Sequence, residues 1–449
     1  MAALLAPVGI VLVALAVRLP LLDAPGFMHD QEQFIIWAYV AQEEGLSGVY
    51  NFVETTGGPR RLSNYPPVQI YICRALAALY PTVAGRPLDA EVITSVSQRT
   101  RTTEARAAYT LFKWPAVMAD VACALLLFYG IRRRTTVSFA ALVGLTFALL
   151  PNVWHNSAVW GAVDSLPVVF LLAALECFTR KRPGWMGVFA ALAVLTKPQS
   201  TIFIPVFIIL ALKDNPLHRA RSLGSGALAA LITASVIVIP FHGALDGVWD
   251  AYVGAPGFYP LTHLNGFSAW FLGAPLLESH LQDNLLEYYV RDDLGLIASI
   301  TARQLGLIAF LAIGSFALYR LWVRGTDSCA MRWYVPIIPL GFFVCSTQMH
   351  ERYLYPVVAM WAWSAMPTWR WLGGFCAVSF AAAVNVLWVW IGPFDNEAVQ
   401  GLSQALHRPW LGMSPGTICA GLLVWILLWM VVWEIRRMMK PRAAAPVPG

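Results

Sequence analysis

The stretch Ala2–Trp37, AALLAPVGIVLVALAVRLPLLDAPGFMHDQEQFIIW, runs from an apolar segment of membrane-spanning length directly into a cluster of acids and amides. The apolar part has neither a basic start nor a clear small-residue cleavage site, so it predicts a first transmembrane helix rather than a removed signal peptide. The rest of the chain agrees. It is 58% hydrophobic and 12% charged, with a mean hydropathy of +0.61. No soluble domain hides that much apolar surface, and the bilayer is the expected solvent. The 19 Trp and 15 Tyr supply interfacial belts. The 7 cysteines are scattered without a CxxC pair, which suggests neither a disulfide framework nor a cysteine metal site. A net charge of +6 without a basic stripe gives no reason to expect nucleic acid.

Basic clusters mark the turns. They are Arg132–Arg134, Arg180–Arg182, Lys213–Arg221, Arg320 to Arg332, Arg370 and Arg436–Arg442, and each borders an apolar run. If all lie in the cytoplasm, the runs between them return in pairs. The expectation is an all-α polytopic membrane protein with about twelve transmembrane helices (about eleven to thirteen). Its single transmembrane domain covers 1–435, and a cytoplasmic, disordered tail covers 436–449. Outer loops are expected at 23–107, with amphipathic helices, and at 242–297. The run between Arg182 and Lys213 is too short for two full spans and is interrupted by TKPQ. It predicts two short helices meeting inside the membrane, which requires a protein-lined or water-filled cavity there.

HDQEQFIIW has two readings. Phe34, Trp37, Ala38 and Ala41 share a helical face, so Asp30 could be an N-cap with Gln33 as its capping-box partner. Glu32 beside it, where a span emerges, points instead to a reacting end. Lys197 of TKPQ is an ionisable group inside a broken apolar segment, and its expected offset is an anion. QMHERYLYP (Gln348–Pro356) sets His350, Glu351 and Arg352 together at the outer end of a span, where the guanidinium fork suits a phosphate. In LPNVWHNSAVWGAVDSLP (Leu150–Pro167), His155 and Asp164 flank a span end; helix–helix hydrogen bonding is the favoured role for Asp164, and likewise for Asp120. YPLTHLNGFSAWFL (Tyr259–Leu272) is either an interfacial anchor or part of a substrate groove.

Taken in order, these motifs resemble the GT-C polytopic glycosyltransferases, which use lipid-phosphate-linked sugars. The similarity is greatest to the endoplasmic-reticulum glucosyltransferases acting on dolichol-linked oligosaccharide and to their bacterial relatives. HDQEQFIIW matches the family's first-loop pattern at Asp30, Glu32 and Trp37, with the glutamine shifted by one residue and the Gly and Arg absent. NYPP follows at Asn64–Pro67. NSAVWGAVDS, TKPQ, YPLTHLNGFSAW and MHERY match forms found in a bacterial branch, departing at Ala162 where Gln is usual. The resemblance covers roughly residues 15–360.

What the resemblance implies is an inverting hexosyltransferase, a mannosyltransferase or glucosyltransferase of the cell envelope. Asp30 is the implied general base, with Glu32 orienting it or holding the acceptor. Arg352, Lys197 and His350 would bind the donor phosphate. His155, Asp164, Gln199, His263, Asn265, Tyr65 and Glu351 are further substrate-binding candidates. The expected partners are a polyprenyl-phosphate-sugar, a glycolipid, polysaccharide or protein acceptor, and membrane lipid; the protein is expected to act as a monomer. No cofactor is required by the motifs, and a divalent metal is left open because Asp30 and Glu32 are too few ligands. The Arg- and Ala-rich composition leans towards a bacterial plasma membrane, with the site facing the extracytoplasmic side. A transporter or flippase for lipid-linked sugars also fits broken helices and intramembrane charge, but no inverted repeat is evident. A purely structural membrane subunit accounts for none of the motifs.

Overall fold

The computed structural model describes residues 2–51, 53–54, 60–61, 63–213, 219–254, 259–274, 290–297, 299–325, 328–391, 401 and 404–439. It is all-α apart from two short antiparallel strand pairs, Val53–Glu54 with Arg60–Arg61 and Gly295–Ile297 with Ile300–Thr301. Among the described residues six helices are long and apolar enough to cross a membrane: Leu4–Leu21, Thr103–Ile131, Arg219–Val253, Ala302–Arg324, Trp369–Ile391 and Pro415–Met439. The pair Val137–Leu149 and Pro151–Trp160, bent by 54°, makes a seventh if counted as one span. Four shorter apolar helices pack among them: Ser165–Thr179, Pro183–Thr196, Pro198–Leu212 and Ala330–Cys345. The outward faces carry Leu4, Leu231, Val236, Leu311 and Trp425, all more than half exposed. Rows of exposed Leu and Val on long helices are stable only against lipid, so the chain is an integral membrane protein by composition and by surface.

The helices that position the site are α1 (Ala2–Arg18), α2 (Met28–Glu43), α3 (Gly45–Asn51), α4 (Pro67–Ala84), α5 (Ala90–Ser97), α6 (Thr103–Ile131), α7 (Val137–Leu149) and α8 (Pro151–Trp154). They continue with α9 (Ser165–Thr179), α10 (Pro183–Thr196), α11 (Ile204–Leu212), α12 (Arg219–Val238) and α13 (Leu245–Val253). The last are α14 (Ala302–Arg324), α15 (Ser328–Tyr334), α16 (Ile337–Cys345), α17 (Tyr355–Trp363), α18 (Trp369–Ile391) and α19 (Pro415–Met439).

The segment expected as the first outer loop is a helical cap, α2 to α5, with its own core. Phe34, Trp37, Tyr50, Ile70, Tyr80 and Val92 pack there against Tyr109 of α6. The larger core lies among α6, α7, α9 and α16 to α19, around Phe128, Phe147, Leu172, Leu340, Met360 and Leu423. The two meet at a buried ion pair. Arg18 Nε and Nη2 donate to Asp120 Oδ2 at 3.0 and 2.9 Å. Ser157 Oγ donates to the same oxygen at 2.5 Å, and Tyr355 Oη to Oδ1 at 2.7 Å. All four side chains are buried, and the carboxylate is satisfied on both oxygens. That satisfaction is what makes a buried charge tolerable, and it gives Asp120 the interhelical role its sequence context suggested.

The basic clusters gather at one end of the bundle. Arg133 pairs with Glu176, Arg134 donates to the Trp363 carbonyl, and Lys213 lies over the Trp322 ring. Asp30, Asp164, Lys197 and Arg352 occupy the other end. Two boundaries differ from expectation. The final helix runs on to Met439, so the basic pair Arg436–Arg437 is helical rather than part of a tail; residues 440–449 lie outside the described residues. Residues 255–258 and 275–289 of the second loop lie outside them as well.

Candidate active site at Asp30

Helix α2 begins at Met28, and its N-cap is Phe27, which makes no side-chain cap bond. Asp30 is therefore inside the first turn, and the capping-box reading with Gln33 does not hold. The carboxylate faces away from its own helix start. Its Oδ2 accepts from Trp160 Nε1 at 2.6 Å, and its Oδ1 accepts from Arg352 Nη2 at 3.2 Å.

Local chain geometry produces that placement. Residues His155–Trp160 form a π-helical turn that ends at Gly161, whose φ of +80° suits a residue without a Cβ. The Trp160 carbonyl accepts from Phe27 N at 2.8 Å, and the Phe27 and Trp160 rings stack at 4.2 Å. A Cβ at Gly26 would stand 2.4 Å from that carbonyl, so only glycine admits the approach. Gln31 completes the clamp: its Oε1 accepts from Gly26 N at 2.6 Å and its Nε2 donates to the Tyr109 carbonyl at 3.0 Å.

Lys197 stands where α10 ends and Pro198 prevents the helix from continuing; its φ/ψ of −151°/131° is extended. Its ammonium pairs with Asp164 Oδ1, so the expected anionic offset is the protein's own carboxylate. Asp164 Oδ2 accepts from Asn156 Nδ2 at 3.3 Å and lies 3.5 Å from Arg352 Nε. Arg352 Nη1 donates to Glu351 Oε1 at 2.9 Å. Aromatic faces enclose the cations: Tyr353 and Tyr65 lie 4.8 and 5.6 Å from the Lys197 ammonium, and Trp160 lies 5.6 Å from the Arg352 guanidinium. Burial raises the Glu351 carboxyl pKa against the pull of Arg352, and burial also raises the Tyr65 and Tyr353 phenols.

His350 retains 18% exposure and sits between Tyr259 and Tyr353. Burial, then Arg352 and Lys197, hold its pKa well below the usual imidazole value, so it is neutral and can act as a hydrogen-bond donor. A segment of the second loop closes over it: Leu264 N and Gly266 N both donate to the Met349 carbonyl at 2.9 Å. Asp292 anchors this loop, accepting from Arg303, Thr347 and Gln348.

The structure thus brings together Asp30, Arg352, Lys197, Asp164, Glu351, Tyr65 and His350. Gln199 lines the same cavity as Lys197. Glu32 goes elsewhere: two positions along a helix turn the side chain to the far face, and its carboxylate accepts from Ser97 Oγ. His155 is buried among Trp154, Trp160 and Trp390, behind the indole that meets Asp30. His263 packs against Phe271, and Asn265, at φ +63°, gives its carbonyl to Asn385 Nδ2 at 2.6 Å; both belong to the closing loop rather than to the charge cluster. Trp160 and Tyr353 were not singled out as site residues from sequence, although both lie inside the quoted motifs. Among the described residues no group of three or more His, Cys, Asp or Glu side chains is placed to hold a metal ion.

From Asp164 and Lys197 a small cavity opens between α9, the 3-10 turn Pro198–Phe203 and α16, walled by Val168, Leu171, Phe203, Phe342 and Pro356. One end is ionic and the other is apolar. No protein-family model matches the sequence, and no curated protein matches it.

Proposed function

We propose that this protein is an inverting GT-C glycosyltransferase that moves a sugar from a polyprenyl-phosphate donor to a hydroxyl of an extracytoplasmic acceptor. The observation that carries the reading is a linked charge cluster: Arg352 bonds the Asp30 carboxylate and lies beside Asp164, which pairs with Lys197 at the polar end of a small, largely apolar cavity of ≈ 30 Å³. A lipid phosphate calls for cations beside an apolar wall, which is the pairing this cluster and its neighbouring cavity present. In the proposed reaction the acceptor oxygen attacks the anomeric carbon while Asp30 takes its proton. The carbon–oxygen bond to the phosphate breaks, and the polyprenyl phosphate leaves with the electron pair. Arg352 and Lys197 face the charge that accumulates on that leaving group.

The same contacts suggest a gate on the base. Arg352 holds Asp30 through one 3.2 Å bond while also facing Glu351 and Asp164. A donor phosphate competing for the guanidinium frees the Asp30 carboxylate for the acceptor. His350, neutral, donates a hydrogen bond to a phosphate oxygen in this scheme. In the same proposal the bent pair and the four shorter apolar helices join the six long ones to make about eleven crossings, the lower end of the expected range, with the basic end in the cytoplasm and Asp30 facing out from a bacterial plasma membrane.

The deciding experiment incubates purified protein with a panel of polyprenyl-phosphate-sugars and acceptor lipids. Asp30→Asn is expected to lose about 10²–10⁴-fold in rate while keeping its elution profile. Transfer that survives in Asp30→Asn removes the base assignment, and lipid movement without transfer favours a transporter.

A further inference from the structure

Helix α17 links the Asp30 site to a second cavity. Its first residue follows the Arg352 turn, and its last, Trp363, precedes the segment Ser364–Arg370, about 14 Å further on by helix rise. There a cavity of ≈ 650 Å³ is lined by Arg332, Arg370 and Arg437 together with Trp369, Trp429 and Trp433. Among the described residues no carboxylate pairs with Arg370, whose guanidinium lies 4.3 Å from the Trp433 ring centre and 5.2 Å from that of Trp369. Among the described residues the acid that Arg437 reaches is Glu434, at 3.7 Å, and Glu434 is buried and already engaged by Arg320.

The cavity does not end there. Met366, Pro367, Thr368, Trp369 and Trp371 also line a second cavity of ≈ 1000 Å³. That one is apolar, bounded by Phe139, Leu142 and Leu150 of the α7 side and by Leu372, Phe375 and Phe380 of α18. From Phe139 to Leu150 it extends about 16 Å by helix rise. That length is about half of a ~30 Å hydrocarbon core, or the depth of one leaflet.

We propose that the two joined cavities are a binding site for an anionic phospholipid, with its phosphate among Arg332, Arg370 and Arg437 and an acyl chain in the groove between α7 and α18. The tryptophans lie where indoles favour the headgroup level, and basic pockets at the ends of transmembrane helices suit lipid phosphates. A free phosphate would use the arginines and leave the groove without a role. The site is separate from the donor cavity at Lys197, and the inference does not depend on the reaction proposed above.

The test uses the full chain, purified and delipidated in detergent, with native mass spectrometry after adding phosphatidylglycerol or phosphatidylcholine. Phosphatidylglycerol is expected to remain bound preferentially. Arg370→Gln and Arg437→Gln are each expected to weaken retention about fivefold, with Arg370→Lys retaining most of it. Ala383→Trp, which fills the groove and leaves the arginines in place, is expected to weaken it as well. Equal retention of the two lipids by the wild-type chain overturns the proposal, whatever the variants do. So does retention unchanged in the Gln variants. Loss in the Gln variants without loss in Ala383→Trp, together with competition by inorganic phosphate, identifies a free-anion site and also overturns it. If a Gln variant elutes as aggregate, the wild-type lipid comparison with Arg370→Lys and Ala383→Trp decides.

Discussion

Trp160 donates its indole N–H to the Asp30 carboxylate at 2.6 Å across 130 residues of sequence, while its carbonyl holds Phe27 at the start of the Asp30 helix. One residue therefore fixes both the backbone that carries the acid and the direction in which the acid points. The π-helical turn makes this double contact available, since its extra residue per turn moves Trp160 out of the α-helical register.

Trp160→Phe keeps the stacking partner of Phe27 and removes only the hydrogen bond. Such a bond to a charged acceptor contributes about 1.5–3 kcal/mol, so the proposed sugar transfer is expected to fall roughly 10- to 100-fold in kcat with little change in KM. Glu32→Gln alters a group that faces Ser97 and is expected to stay within about twofold of wild type. Steady-state kinetics on both variants separate the two acids; equal losses would restore Glu32 to the reaction.

Lys197 and Asp164 are both buried; removing Asp164 strips Lys197 of its counter-ion, and removing Lys197 leaves Asp164 only Arg352, at 3.5 Å. Lys197→Met alone is expected to cost about 3–5 kcal/mol. Lys197→Met combined with Asp164→Leu should recover much of that stability while transfer stays abolished. Thermal unfolding in detergent, followed by the monomer peak on size exclusion, reads the difference. Additive losses in the double variant would show that the pair does not couple.

Arg18→Met tests the joint between α1 and α6. It strips Asp120 of its cationic partner and leaves the hydrogen bonds from Ser157 and Tyr355. An unpaired carboxylate at this depth is expected to destabilise by about 3–5 kcal/mol, with Arg18→Met plus Asp120→Asn partly restoring the melting temperature.

His350 gives a pH signature. Its folded pKa lies below the ordinary value of about 6.5. Above that pH both folded and unfolded chains carry it neutral, and it contributes nothing to the slope. Below it the unfolded chain takes up a proton that the folded chain refuses, so stability falls as the pH drops from about 6.5. Melting curves between about pH 7.5 and pH 5 should show this slope reduced in His350→Asn; an unchanged slope would assign it to another group.

Much of the molecule was legible beforehand because its causes are local. An apolar run long enough to span needs no partner to declare itself. Pro198 ends α10 wherever the bundle places it, so the break at Lys197 could be read from four letters. The clustering of arginines at one end follows from the pairing of runs, and the motifs marked the segments from which the structure brings Asp30, Lys197, Asp164 and Arg352 together.

What the sequence alone determined, then, is the all-α membrane class, the break at Lys197 and the short segments rich in polar side chains. Only the tertiary structure decided which side chains within those segments meet. Neighbours in sequence, Asp30 and Glu32, separate because a helix turns them to different faces. Asp164, whose expected role was helix–helix bonding, becomes the counter-ion of Lys197, and Trp160, singled out by no charge, becomes the partner of Asp30. The direction of a carboxylate is set by donors that reach it through space, and those donors come from chain segments more than a hundred residues away.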